Sequence, residues 1–207
     1  MEIPHNLVLP PLAFGARVGI LGGSFDPPHL CHQLLALSFL AVEELDELWV
    51  IPCANHAYKA AATDFHHRLA MCTIAFARLN QVRVLDLEDK LPAPNYTIET
   101  LRAILNLRPD LKLLLCLGSD LIDGFPTWHE ADEIVKLADI GIFERANYPI
   151  KTLPKILQGA HAYQGYALPD AASTNLRDVL SSQDRPTSKQ FLDREVRNYI
   201  TKNHLYN

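Results

Sequence analysis

His29 and His32 follow the run Gly22-Gly23-Ser24-Phe25-Asp26-Pro27-Pro28, which leaves an apolar strand at Val18–Leu21. At Gly22-Gly23 the backbone can turn sharply and come close to a ligand. Pro27 and Pro28 stiffen the loop. The two histidines are one helical turn apart, so they share a face at the start of the next helix. Glycine turn, exposed backbone N–H groups and helix N-terminus together form an anion site, and two imidazoles inside it point to chemistry on a phosphate. An isolated His-x-x-His more often only caps a helix; the residues that precede this pair change that reading. The other fingerprints are absent: there is no G-x-x-x-x-G-K-[ST] loop and no G-x-G-x-x-G after the first strand. An HExxH zinc site needs histidines four apart with the intervening glutamate, so no protein-held metal is expected.

A strand–loop–helix of this kind needs a sheet behind it. Arg17–Leu21, Leu48–Ile51, Val82–Leu85, Leu111–Leu117 and Ile140–Phe143 are strand candidates, nearly continuous in apolar residues, as strands buried on both faces are. Between them Phe65, Leu69, Cys72, Phe76 and Leu79 recur at helical spacing, as do Ile98, Leu101 and Leu105, with Thr97 as the expected cap. Strand–helix alternation predicts an α/β fold, an open parallel sheet with helices on both faces and ligands beyond the carboxyl ends of its strands. Between Asn147 and Pro169 a short helix and a last strand, His161–Ala167, are expected. Ser173–Leu180 reads as a helix, Ser181–Lys189 as a loop, and Leu192, Val196, Tyr199 and Ile200 as a terminal amphipathic helix. One domain over residues 1–207 follows, with an N-terminal extension (1–16) and a small C-terminal helical part (170–207).

Composition bounds the partners. The chain has 207 residues, 48% hydrophobic, enough for a sizeable core. A net charge of −5 argues against a broad nucleic-acid surface, so an anionic substrate must meet a local cluster, for which Lys59, Arg145, Arg177 and the histidines are available. The most apolar stretch, Leu30–Leu45, contains His32, Glu43 and Glu44, so no membrane span is expected, and no signal peptide is visible. Four scattered cysteines without a CxxC pair fit a reduced, cytoplasmic protein, with Cys72 and Cys116 in the core. A homo-oligomer is compatible with this composition.

Residues 22–32 resemble the GxFDPxHxGH signature of the HxGH nucleotidyltransferase superfamily, most closely its nicotinate-mononucleotide adenylyltransferases. Lys59 after Asn55-His56-Ala57-Tyr58 resembles that family's Pro-His-Lys substrate loop, and His67-Arg68-Leu69-Ala70-Met71 the helix start that follows. Tyr96-Thr97-Ile98-Glu99-Thr100-Leu101 is similar to its Tyr-Thr-Ile-Asp-Thr-Leu run. Gly118-Ser119-Asp120, Pro126-Thr127-Trp128-His129, Phe143-Glu144-Arg145 and Ser173-Thr174-Asn175-Leu176-Arg177 resemble its GxD, TWH, ER and SSTxxR elements.

The resemblance implies a Rossmann-like fold that transfers the adenylyl group of ATP to nicotinate mononucleotide. The products would be nicotinic acid adenine dinucleotide, a precursor of NAD, and pyrophosphate. The nucleophile is already an anionic phosphate, so no general base is required, and catalysis reduces to aligning two anions and neutralising charge on the transferring phosphorus. On this reading His29 and His32 donate to ATP phosphate oxygens, and a polyanion favours their protonated form. Arg177 clamps the triphosphate and Lys59 meets the mononucleotide phosphate. Gly22, Gly23, Ser24, Phe25, Gly118, Asp120, Arg145, Ser173 and Thr174 complete the ATP site. Ser24, Lys59, Thr97 and Trp128 would hold the pyridine nucleotide. Mg²⁺ would enter on the ATP phosphates. Trp128 stacks on the pyridine or serves as a lid or core anchor. Asp120 holds a ribose hydroxyl or caps the segment from Leu121. Arg145 faces the adenosine or lies on the surface. His66, His67 and His129 are expected in loops or caps.

Two positions depart from the family pattern. Cys31 replaces the glycine between the histidines, putting a Cβ and a sulfur either against the nucleotide or away from it. Ala172 replaces the first serine of SSTxxR. With Cys31 there, the chain could be a nucleotide-binding homologue with impaired turnover; a separate alternative keeps the chemistry but takes nicotinamide mononucleotide or phosphopantetheine as acceptor.

Overall fold

The structure, a computed structural model, describes residues 7–55, 63–168, 176–177, 180 and 191–206. The apolar runs become one six-stranded sheet: β1 (Arg17–Gly23), β2 (Glu47–Pro52), β3 (Val82–Val84), β4 (Lys112–Gly118), β5 (Asp139–Arg145) and β6 (His161–Leu168). All neighbours pair in parallel, in the order β3-β2-β1-β4-β5-β6. The helices are α1 (Leu30–Val42), α2 (Phe65–Phe76), α3 (Thr97–Leu107), α4 (Ala131–Leu137) and α5 (Arg194–Lys202).

Alternation along the strands builds two cores. Leu113, Leu115 and Leu117 join Trp49 and Ile51 under Ile98, Leu101 and Ile104 of α3 and Ile134 of α4. Leu114 and Cys116 join Leu48 and Val50 on the other face, under Phe39 of α1, Met71 and Cys72 of α2 and Val196 of α5. A side chain as fully buried as Phe39 contributes about 1.5–3 kcal/mol. The chain winds outward from β1 to β3, then returns beside β1 as β4. That reversal opens a crevice at the carboxyl ends of β1 and β4. No helix among the described residues is long and apolar enough to cross a membrane.

The expected strands are all present, each within two residues at either end. Three features differ. Tyr96, not Thr97, is the N-cap of α3, so Thr97 is its first helical residue. The short helix expected before β6 is a single 3-10 turn, Lys155–Leu157. Helix α4 was not expected: its two buried anchors, Ala131 and Ile134, are too few to show a helical period. The N-terminal segment is part of the packing from Leu7 onward, with Leu7 in the α3-side core. Arg108 Nη2 donates to the Ala13 carbonyl at 3.1 Å, and the Gly15 N–H donates to Asp110 Oδ2 at 3.0 Å. The expected Ser173–Leu180 helix lies largely outside the described residues, and the Ser181–Lys189 loop entirely so.

Candidate functional site

The loop after β1 does not turn where the glycines suggested. Gly22 and Gly23 remain in the strand, opposite Ile51 and Pro52, and the Cys53 N–H donates to the Gly23 carbonyl at 2.8 Å. The ladder holds both glycines extended, so the turn falls on Phe25, in the left-handed region at φ 48°. A Cβ on Gly23 would lie 3.2 Å from the Phe25 ring, whereas one on Gly22 would meet nothing within 4 Å. Gly22 thus leaves open space at the end of the central strand, where a ligand can approach the backbone.

The two histidines share a face as their spacing predicts, with rings stacked and centroids 3.7 Å apart. Phe25 packs edge-on against His32 at 4.8 Å. His29 is the N-cap of α1, and its N–H donates to Nδ1 of His32 at 3.2 Å. In neutral His32 that bond places the ring hydrogen on Nε2, the nitrogen left to donate to a ligand. Nδ1 of His29 is buried without a hydrogen-bond partner, an arrangement that a ligand oxygen would satisfy.

The protonated form is expected beside a polyanion; without one, both imidazoles are held below their ordinary value. Burial, then the charge of Arg145, lowers His29 from 6.5 to about 3. Burial, then His29 and Arg145, holds His32 well below the usual imidazole value. Both rings are neutral at pH 7, since desolvation outweighs any attraction for protons until an anion arrives.

Arg145 ends β5 and faces this pair. Its Nη1 donates to Asp120 Oδ2 at 2.9 Å, and its N–H donates to Ser119 Oγ at 2.9 Å. Ser119 in turn donates to the Tyr148 carbonyl at 2.5 Å. A Cβ on Gly118 would come within 2.5 Å of Asp120 Oδ1 and 2.9 Å of Arg145 Cδ, so glycine lets the two side chains lie across the end of β4. Of the open alternatives for these residues, the structure therefore places Arg145 at the crevice, joined to Asp120. Arg177 reaches the same loop, with Nη1 donating to the Asp26 carbonyl at 2.7 Å.

The second half of the crevice gathers around the start of α3. The Asn55 N–H donates to Asn95 Oδ1 at 2.7 Å, and the Asn95 N–H donates back to the Asn55 carbonyl at 3.0 Å. Asn55 is thereby fixed to the residue two before Thr97. Asn95 is itself buried. His129 lies over Tyr96 with centroids 4.3 Å apart, and Arg102 forks onto Glu130 at 2.5 and 3.0 Å. These contacts tie the segment that carries Trp128 to the start of α3. Trp128 also packs on Phe125 at 5.1 Å, so one side of its ring is anchored in the core. His66 and His67 sit within α2, not in a loop, and His67 Nδ1 is 2.9 Å from the Tyr199 hydroxyl.

Arg68 was not expected to matter beyond its helix. It is buried, and donates to the carbonyls of Ser24 at 2.8 Å, Cys53 at 2.6 Å and Thr63 at 2.9 Å. One guanidinium thus ties together the ends of β1 and β2 and the entry to α2. Glu88 is buried nearby, accepts from Thr100 at 2.8 Å, and has its pKa raised by burial. The only sequence signal for Arg68 was its place in the His67–Met71 run; Glu88 carried none. Lys59, Ser173, Thr174 and Ala172 lie outside the described residues.

Cys31 is 5% exposed, at the second helical position of α1. It shares a stripe with Leu35 and Phe39, both in the α2-side core. No cysteine of the chain is in a disulfide.

The cytidylyltransferase-like family matches residues 20–185. A probable nicotinate-nucleotide adenylyltransferase of Albidiferax ferrireducens is 41% identical over 131 residues, which are 63% of this chain and 66% of that protein. Another, of Oceanobacillus iheyensis, is 30% identical over 193 residues, covering 92% of this chain and 96% of that one. Among solved structures, Plasmodium falciparum nicotinic acid mononucleotide adenylyltransferase complexed with NaAD is similar with a TM-score of 0.77 and 25% identity. That likeness covers 92% of this chain and 97% of the other.

Proposed function

The chain belongs to the nicotinate-nucleotide adenylyltransferase family of cytidylyltransferase-like proteins, and from that premise we propose that it joins nicotinate mononucleotide to the adenylyl group of ATP. An oxygen of the mononucleotide phosphate attacks the α-phosphorus. The new P–O bond forms as the bond to the bridging oxygen breaks, and pyrophosphate leaves with that electron pair. No proton has to move, so neutral imidazoles suffice as donors.

The observation that carries this reading is the stacked His29–His32 pair at the end of β1, with Arg145 charged beside it. On this reading Nε2 of His32 and the His29 ring, whose Nδ1 has no hydrogen-bond partner, donate to phosphate oxygens. The first N–H groups of α1 and the open face at Gly22 receive the rest of the triphosphate. Arg177, fixed on the Asp26 carbonyl, adds charge at the loop. Lys59 meets the acceptor phosphate, Thr97 offers the N-terminus of α3 to the pyridine carboxylate, and Trp128 presents the free side of its ring. Ser173 and Thr174 supply hydroxyls to ATP.

Mg²⁺ is proposed to arrive on the ATP oxygens. Among the described residues no three His, Cys, Asp or Glu side chains gather to hold a metal ion. The nearby carboxylates are engaged elsewhere: Asp120 with Arg145, and Asp26 with Tyr206 and Thr63. The ion, when bound, would neutralise phosphate charge.

Isotope tracing tests the transfer. With ATP labelled at the α-phosphorus, the label is expected in the dinucleotide; with label at the γ-phosphorus, in pyrophosphate. Label appearing in free AMP alone would replace transfer with hydrolysis.

A further inference from the structure

Three distant parts of the chain meet at Asp26, between the strained Phe25 and the histidine pair. The Tyr206 hydroxyl donates to Asp26 Oδ1 at 2.5 Å, the Thr63 N–H donates to Oδ2 at 3.3 Å, and Arg177 Nη1 donates to its carbonyl at 2.7 Å. Asp26 is 2% exposed, so its carboxyl oxygens must find their partners within the protein. Thr63 and Arg177 belong to segments adjoining the proposed site. Tyr206 does not: it follows α5, 180 residues away in sequence.

The backbone around Tyr206 is built to deliver that hydroxyl. Helix α5 closes with paired bonds, Leu205 N–H to the Ile200 carbonyl at 3.1 Å and His204 N–H to the Thr201 carbonyl at 3.3 Å. His204 takes the left-handed position at φ 53°, which glycine usually fills in this helix ending. Tyr206 is left-handed as well, at φ 61°. Such conformations persist in bulky residues only where surrounding contacts hold them. The ring of Tyr206 packs against the α2-side core. Burial, then hydrogen bonding to Asp26, raises the pKa of its phenol, which therefore stays a donor throughout the neutral range.

We propose that Tyr206 is a positioning residue for the phosphate loop, holding Asp26 and through it the His29–His32 pair in the alignment that adenylyl transfer requires. The inference rests on the transfer reading of the site. Tyr206 touches neither reacting group. It joins α5, which packs on α2, to the loop that turns at the left-handed Phe25. Alignment matters more for the reaction than for binding, because a shift of about 1 Å at a reacting centre can lower the rate roughly 100-fold.

Tyr206→Phe keeps the ring and removes only the hydroxyl. It is expected to lower kcat about tenfold while KM for ATP changes less than about twofold, as loss of one charge-assisted bond at an aligned centre would. Amide hydrogen exchange over residues 24–32 is expected to accelerate, with exchange in β4 and β5 unchanged. Asp26→Asn should give a similar kcat, and the double variant should be no worse than either single one. A Tyr206→Phe protein with unchanged kcat, or effects that simply multiply in the double variant, would overturn the positioning role. If the unsubstituted protein forms no dinucleotide, the transfer reading fails. Exchange over residues 24–32 then decides the latch by itself, and an unaltered rate in Tyr206→Phe would reject it.

Discussion

Arg145 Nη1 donates to Asp120 Oδ2 at 2.9 Å, so the cation that lowers both imidazoles is itself fixed across the ends of β4 and β5. The pair is partly buried, with side-chain exposures of 16% and 26%, where a charge-assisted bond orients a guanidinium better than water does. Asp120→Asn should release that orientation and raise KM for ATP by about tenfold, with kcat less affected. Steady-state kinetics at saturating acceptor provides the check; an unchanged KM would show that Arg145 needs no such partner.

His32 should carry more of the turnover than of the binding. Its Nδ1 is occupied by the His29 N–H, leaving Nε2 for the phosphate. His32→Ala should reduce kcat by about 100-fold or more, the scale for removing one preorganised donor. Far-UV circular dichroism should be unchanged. Near-normal turnover would remove His32 from the chemistry.

Much of the fold was legible because its strands are buried on both faces. Leu113 to Leu117 is apolar without interruption, which only a central strand of this length explains, and the helix period between strands supplied the crossovers. The site was legible where its residues adjoin strand ends: His29 and His32 after β1, Asp120 after β4, Arg145 at the end of β5. Two kinds of feature were not. The placement of the turn at Phe25 instead of Gly22-Gly23 follows from β1–β2 pairing, a tertiary constraint that local glycine content cannot reveal. The roles of Arg68, Glu88 and Tyr206 arise from contacts between segments far apart in sequence, and no local spacing marks them. The depressed imidazoles of the substrate-free site were not legible for a related reason, since burial of the two rings is a property of the folded loop.

The depressed imidazoles make the fold acid-sensitive. In the unfolded chain His29 binds a proton near 6.5, whereas in the folded protein it does so only near 3. Between those values the unfolded state holds more protons, so stability is present in full above pH 6.5 and declines as pH falls. His32 acts in the same direction. Urea unfolding at pH 7 and pH 5 should show a loss of stability that is smaller in His29→Gln. An identical loss in both proteins would mean that His29 is not buried in its neutral form.

Cys31 sits where the family pattern has glycine, yet it is buried, at helical spacing from the core residues Leu35 and Phe39. Cys31→Gly should therefore leave kcat and KM for ATP within about twofold while lowering stability by about 1–2 kcal/mol, from lost helix propensity and lost burial. A marked rise in activity or tighter ATP binding would place the sulfur against the nucleotide instead.

Adenylyl transfer to a pyridine mononucleotide is assigned to a site formed from β1, β4 and β5 and the start of α3. Pyrophosphate release, followed with ATP and Mg²⁺ against nicotinate mononucleotide, nicotinamide mononucleotide and phosphopantetheine in parallel, tests it most directly. Release should depend on an acceptor, be fastest with nicotinate mononucleotide, and match dinucleotide formed mole for mole. Absence of release with every acceptor, while calorimetry still detects bound ATP, would contradict that assignment and leave a nucleotide-binding protein without transfer activity.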